Sequence, residues 1–135
     1  MKLIVFTDGA SRGNPGPASY GFTISKESGQ LIYQEGKHIG VTTNNVAEYT
    51  AVLKSLQYLK EKFDSDLEVI FYMDSKLVVE QLSGRFKIKS EHLKGIIYKI
   101  NQLARLFGKV SYNHVPRELN KQADKMANIA LDNLL

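Results

Sequence analysis

The chain opens on a short apolar run, LIVFT (residues 3–7), closed by Asp8 and Gly9, the pattern of a strand buried on both faces. The next run, YGFTI, alternates, with Tyr20, Phe22 and Ile24 on one side. The turn signal ESGQ separates it from a second alternating run that starts at Leu31, so residues 18–39 read as a hairpin. At Asn45 the period lengthens. Ala47, Ala51, Val52, Leu56 and Leu59 recur at helical spacing and predict a helix to about Lys62. LEVIFYM (67–73) is a second buried strand followed by an acid, Asp74. A short helix through Leu77, Val78, Gln81 and Leu82 stops at Gly84. GRFKIK alternates basic and apolar residues. Leu93, Ile96, Ile97, Ile100, Leu103, Ala104 and Phe107 then mark a longer helix ended by Gly108. KVSYNHV supplies a fifth strand, and Leu119, Ala123, Met126, Ala127, Ala130 and Leu134 mark a C-terminal helix. Hairpins first, then strands alternating with helices, predict an α/β fold: a mixed sheet covered by helices on its faces.

A length of 135 residues suits one domain, 1–135, with a single sizeable core. With no cysteine, disulfides, zinc-thiolate sites and thiol chemistry are excluded. No apolar run approaches the roughly 20 residues of a bilayer span, and MKLIVFTDG lacks a signal-peptide core, so a cytoplasmic protein with no membrane partner is the expectation. The net charge of +4, from 18 Lys+Arg against 14 Asp+Glu, is a modest bias toward polyanionic partners. Its distribution says more. Arg85, Lys87, Lys89, Lys94 and Lys99 crowd one segment, while several acids sit beside element ends.

Four of those acids are Asp8, Glu48, Asp74 and Asp124, and each alone has an ordinary structural explanation. Asp8 can open a turn with Gly9. Glu48 stands three residues after Asn45, the capping-box spacing. Asp74 can cap the helix near Ser75, and Asp124 can be a solvated acid flanking an apolar stripe. Considered together they fit these explanations less well. If strands one and four are adjacent and parallel, Asp8 and Asp74 emerge at the same sheet end, where open α/β sheets gather ligands. Two carboxylates about 4 Å apart repel by about 4 kcal/mol at an effective dielectric near 20, and further acids make matters worse unless divalent cations neutralise them. Oxygen ligands in that number suit Mg²⁺ or Mn²⁺, and two such ions about 3.5–4 Å apart can drive phosphodiester cleavage. The loop ASRGNPG after Asp8 offers backbone amides and small side chains that a sugar-phosphate backbone can approach. TTNN (Thr42–Asn45) adds uncharged donors before a helix N-terminus, where phosphate oxygens are favoured. Turn and cap chemistry accounts for both segments equally well.

TDGASRGNPGPASYGF, TTNNVAEYTAV, YMDSKLVVEQLSG and HVPRELNKQADKMAN, in that order, resemble the motifs of type 1 ribonuclease H over nearly the whole chain. The resemblance implies a ribonuclease H-like fold, a five-stranded mixed sheet of order 3-2-1-4-5. It also implies two-metal endonucleolytic hydrolysis of the RNA strand of RNA/DNA hybrids, leaving 5′-phosphate and 3′-hydroxyl ends. By the same resemblance Asp8, Glu48, Asp74 and Asp124 are the metal-binding acids, holding two Mg²⁺ or Mn²⁺ ions bridged by Asp8. Glu48 and Asp74 would serve the ion near the leaving group, with Glu48 also facing a ribose 2′-hydroxyl. Asp74 and Asp124 would flank the ion carrying the attacking water. Ser11, Arg12, Gly13 and Asn14 match the loop that reads the RNA minor groove, Thr43, Asn44 and Asn45 match contacts to phosphate and base edges, and Lys76 matches a hybrid contact.

Two departures from the common pattern matter. His114 stands ten residues before the last acid, where many members carry a catalytic histidine, yet its place at the end of an alternating strand with Val110 and Tyr112 equally suits a packed, structural residue. Arg117, in VPRE, is the competing cation for the scissile phosphate or the leaving product. The segment SGRFKIKSEHL is too short for the basic protrusion of some members, and an N-terminal hybrid-binding domain is not expected. Affinity would then rest on the core surface, with Arg85, Lys87 and Lys89 as phosphate contacts; a solvated loop with Phe86 and Ile88 facing the core is the alternative. His38 and His92 match no motif and read as surface residues. A monomer is the expectation. The competing functions are a nucleic-acid-binding protein of the same fold with weak or no catalysis, and a nuclease that also accepts double-stranded RNA.

Overall fold

A computed structural model describes residues 1–85, 87 and 90–133. Phe86, Ile88, Lys89 and Leu134 lie outside the described residues, and with them the core-facing, phosphate-contact and helical-stripe expectations attached to them. The elements in chain order are β1 (Lys2–Ser11), β2 (Gly16–Lys26), β3 (Leu31–Thr42), α1 (Asn44–Lys62), β4 (Glu68–Met73), α2 (Lys76–Leu82), α3 (Glu91–Ala104), β5 (Lys109–His114), a 3-10 turn (Arg117–Leu119) and α4 (Lys121–Asp132). The strands form one sheet of order β3-β2-β1-β4-β5. β1–β2 and β2–β3 are antiparallel, and β1–β4 and β4–β5 are parallel. Both crossovers after β3 carry helices, as parallel pairing requires.

Side chains alternate across a strand, and β1 uses both faces. Leu3, Val5 and Gly9 point toward α1, which buries Ala47, Tyr49, Ala51, Val52, Leu56 and Leu59 against the sheet. Phe71 continues this core and stacks on Tyr112 of β5 at 5.3 Å between ring centroids. Burying each such side chain contributes about 1.5–3 kcal/mol, which fixes the register of the strands that carry the acids.

The opposite face receives α4. Its contact is very close because β2 and β3 present glycines there. A Cβ on Gly21 would lie 2.4 Å from the Ala123 carbonyl oxygen, and one on Gly36 would lie 2.2 Å from that of Met126. The buried Ser19 hydroxyl donates to the Ala127 carbonyl and ties the same helix down. Gly9 does for α1 what Gly21 does for α4: its Cβ would lie 2.4 Å from the Glu48 backbone nitrogen.

Several boundaries differ from the sequence reading for physical reasons. β1 does not end at Asp8; antiparallel pairing with β2 carries it on to Ser11, opposite Ala18, so the turn-forming segment shrinks to residues 12–15. Pairing with β4 does stop early, at Phe6 opposite Tyr72. The two strands therefore part just before Asp8 and Asp74. Leu119 is not part of the last helix; it lies in the 3-10 turn and is 64% exposed, while Leu131 takes the buried helical position. His114 is exposed at the end of β5 and is not the packed residue the alternation allowed. No helix among the described residues is long and apolar enough to cross a membrane.

Candidate active site

Four elements converge where β1 and β4 part. Asp8 comes from inside β1, Asp74 directly follows β4, Glu48 lies in the second turn of α1 and Asp124 in the first turn of α4. Together with Gly9, Ala10, Ser11, Asn44, Arg117 and Asn128 they line a cleft of about 420 Å³. One carboxylate oxygen from each of Asp8, Glu48 and Asp74 lies within 4.8 Å of the others. Asp124 falls outside that triad but lines the same cleft.

The local explanations for these acids are occupied by other residues. The cap of α1 is Thr43, whose hydroxyl accepts from Val46 N at 3.2 Å, so Glu48 ties back to no cap. The cap of α2 is Ser75, accepting from Val78 N at 3.3 Å, so Asp74 is not needed there. Asp8 accepts from the Gly9 N–H at 3.0 Å but sits in a strand, not a turn.

Asp8 is 5% and Glu48 6% exposed. Burial, then the charge of Asp74, then the hydrogen bond and charge of Asp124 push the Asp8 carboxyl up to about 8, against a lowering by the Gly9 N–H. Glu48 is driven well above the ordinary carboxylate range by burial first, then by the charges of Asp8 and Asp74 and the hydrogen bond with Asp8. Only a handful of donors soften this. Asn120, 1% exposed, donates to the Thr7 carbonyl at 2.8 Å and to Asp74 at 3.4 Å. Asn128 donates to the Asp124 backbone carbonyl at 2.9 Å and to its carboxylate at 3.2 Å. Neither asparagine was legible as a site residue, because an amide at a helix start or on a helix has an ordinary structural explanation. Their one signal was the spacing, Asn128 one helical turn after Asp124 and Asn120 at the start of the same helix.

A buried cluster of hard oxygen donors that is electrostatically unfavourable when bare fits a divalent cation and nothing softer. Asp8, Glu48 and Asp74 supply the central donors, with Asp124 on the Asp8 side.

The other sequence candidates divide into those at the cleft and those away from it. Ser11 and Asn44 line it directly. Arg12 pairs with Asp132 at the end of α4. Gly13 has φ +90°, a conformation that favours glycine. The Asn14 side-chain oxygen accepts from Asn44 N at 3.0 Å, which joins the β1–β2 turn to the start of α1. Thr43 is the helix cap and Asn45 is exposed beside it. Lys76 is exposed at the start of α2. Arg85 is exposed and pairs with Glu80 at 2.5 Å, and Lys87 is exposed; none of these three lines the cleft. Of the two candidate cations Arg117 lines the cleft, and His114 does not. His38 and His92 are exposed.

A mixed 3-2-1-4-5 sheet with carboxylates gathered where β1 and β4 diverge defines a ribonuclease H-like α/β protein. The family model described as "Reverse transcriptase-like" matches residues 6–130. The chain is 32% identical over 148 aligned residues to a ribonuclease H of Prosthecochloris aestuarii, covering 98% of this chain and 97% of that protein. It is 42% identical over 133 residues to a bifunctional protein of Mycobacterium tuberculosis, covering 98% of this chain but 36% of that protein's length. The crystal structure of LC11-RNase H1 in complex with RNA/DNA hybrid superposes with a TM-score of 0.93 at 40% identity, covering 98% of both chains. The chain belongs to this family and, within it, to the type 1 ribonucleases H.

Proposed function

We propose that this protein is a divalent-cation-dependent endoribonuclease that hydrolyses the RNA strand of RNA/DNA hybrids, leaving 5′-phosphate and 3′-hydroxyl ends. The observation that carries this reading is the triad Asp8, Glu48 and Asp74, with oxygens within 4.8 Å of one another and two of its members buried. The similarity to a protein crystallised with an RNA/DNA hybrid supports the substrate.

In this reading Asp8, Glu48, Asp74 and Asp124 would hold two Mg²⁺ or Mn²⁺ ions, which when bound would neutralise charge on the attacking and leaving oxygens of an in-line displacement. The chain's own residues do the rest. Water adds its oxygen to phosphorus and gives up a proton to solvent, the P–O3′ bond breaks, and the departing ribose oxygen takes a proton from solvent and leaves as the 3′-hydroxyl. The rigid strand β1 fixes Asp8, and the parting of β1 and β4 after Phe6 and Tyr72 sets Asp8 and Asp74 side by side in the cleft. Arg117, at the cleft wall, is the fixed cation for the phosphate or the departing product. Ser11, Arg12, Gly13 and Asn14 face the RNA minor groove, where 2′-hydroxyls distinguish RNA from DNA. Thr43, Asn44 and Asn45 present donors at the α1 N-terminus to phosphate. Lys76, Arg85 and Lys87 extend the contact along the backbone.

The test incubates the protein with labelled RNA/DNA hybrid, duplex RNA and duplex DNA in Mg²⁺, Mn²⁺ or EDTA. Internal cuts confined to the RNA of the hybrid and absent in EDTA are the expected result. Binding without cleavage in either metal would refute the enzymatic reading, and equal cutting of duplex RNA would refute hybrid selectivity.

A further inference from the structure

Asn128 stands one helical turn after Asp124 on α4 and shares the wall of the acid cleft. Its side-chain nitrogen donates twice, at 2.9 Å to the Asp124 backbone carbonyl and at 3.2 Å to the Asp124 carboxylate. This arrangement has a specific consequence. Asp124 is the one acid of the four outside the 4.8 Å triad, and it projects from a helix and not from the sheet. The Asn128 amide restrains that side chain, bonding at once to the helix backbone and to the carboxylate. The helix that carries both groups is itself held on Gly21 and by the Ser19 hydroxyl.

The geometry points to Asn128 as a positioning residue that holds the Asp124 carboxylate at the cleft and so sets the divalent-cation affinity of the Asp124 side of the site. This rests on the metal-dependent reading given above. Partners that orient a ligand in this way typically change metal affinity or activity by about 10–100-fold when removed. Since the bond to the carboxylate is the longer of the two, at 3.2 Å, the lower end, about tenfold, is expected.

Two variants separate orientation from simple packing. Asn128→Leu keeps the size without a donor, and Asn128→Ala removes both. Each is titrated with MgCl₂ and with MnCl₂ alone, following thermal stabilisation over the EDTA baseline. Hybrid cleavage is then measured at low and at saturating metal. Both variants are expected to raise the cation midpoint about tenfold. They should lose turnover at low metal, recover most of it at saturation, and leave KM for hybrid within about twofold of wild type. An unmoved midpoint in both variants overturns the inference, whatever happens to the EDTA melting temperature, because a packing role lowers that temperature alone. A raised KM with an unmoved midpoint also overturns it, assigning Asn128 to substrate contact. A wild-type protein that no divalent cation stabilises would instead bring down the metal site itself.

Discussion

Replacing Asp8 with Asn exchanges a buried charge for an amide of nearly the same shape, and the metal-free protein should become more stable for it. One oxygen of Asp8 lies within 4.8 Å of oxygens of both Glu48 and Asp74. Two like charges at that separation repel by about 3.5 kcal/mol at an effective dielectric near 20. Titration leads to a similar size. A carboxyl pushed up from 3.8 to about 8 stays protonated at pH 7 in the folded chain but ionises in the unfolded one, a difference of about three units or about 4 kcal/mol. Between about pH 4 and pH 8 the folded state binds the extra proton, so wild-type stability in EDTA falls as pH rises through that window and levels off above it. The upward shift of Glu48 acts in the same direction. An asparagine at position 8 escapes this penalty while its side-chain oxygen still accepts from Gly9 N. Urea denaturation in EDTA at pH 5 and pH 8, followed by circular dichroism, should show Asp8→Asn gaining a few kcal/mol over wild type at pH 8, with a much smaller gain at pH 5. Added Mg²⁺ should stabilise wild type more than the variant, and the variant should lose hybrid cleavage. A variant no more stable than wild type at pH 8 in EDTA would refute the electrostatic account of the cluster.

Other substitutions probe the surroundings. Arg117→Ala should lower kcat by about 10–100-fold, the loss of one charge-assisted contact, whereas His114→Ala, away from the cleft, should stay within about threefold of wild type; steady-state kinetics on a labelled hybrid decide, and the reverse ranking would return the role to His114. Lys87→Ala should reduce the slope of log affinity against log salt by about one if Lys87 meets a phosphate, read by fluorescence anisotropy in Ca²⁺, and an unchanged slope would remove it from the interface. Thr43→Ala should cost about 1 kcal/mol through loss of the α1 cap, measured by urea unfolding; a cost near zero would mean that the Val46 N–H finds another acceptor.

Periodicity made the sheet and its helices legible because burial dictates it, and the α1 stripe runs from Ala47 to Leu59 as the sequence pattern has it. But LIVFT and LEVIFYM, read as buried on both faces, bury one face fully, with Leu3 and Val5 of β1 and Val69, Phe71 and Met73 of β4, while Ile4, Phe6, Ile70 and Tyr72 on the other face stay half-buried. The strand order came from resemblance and not from the pattern, since nothing in an apolar run names its neighbour. Boundaries were harder to read. Asp8 looks like a strand end because acids are rare within strands, but backbone pairing with β2 does not depend on side-chain polarity and continues to Ser11. Leu119 looks helical by spacing, yet the 3-10 turn leaves it exposed. His114 and Arg117 could not be ranked until the chain's path after β5 was known, because only Arg117 lies on the turn that borders the acids.

The glycines under the two helices show where tolerance to change ends in this molecule. Gly36 sits on β3, two strands removed from Asp8, and would never be chosen as a functional position from its chemistry. A single added methyl there would still have to displace the Met126 carbonyl from 2.2 Å, on the helix that carries Asp124. The seat of the helix that carries Asp124 is therefore held partly by atoms that are missing.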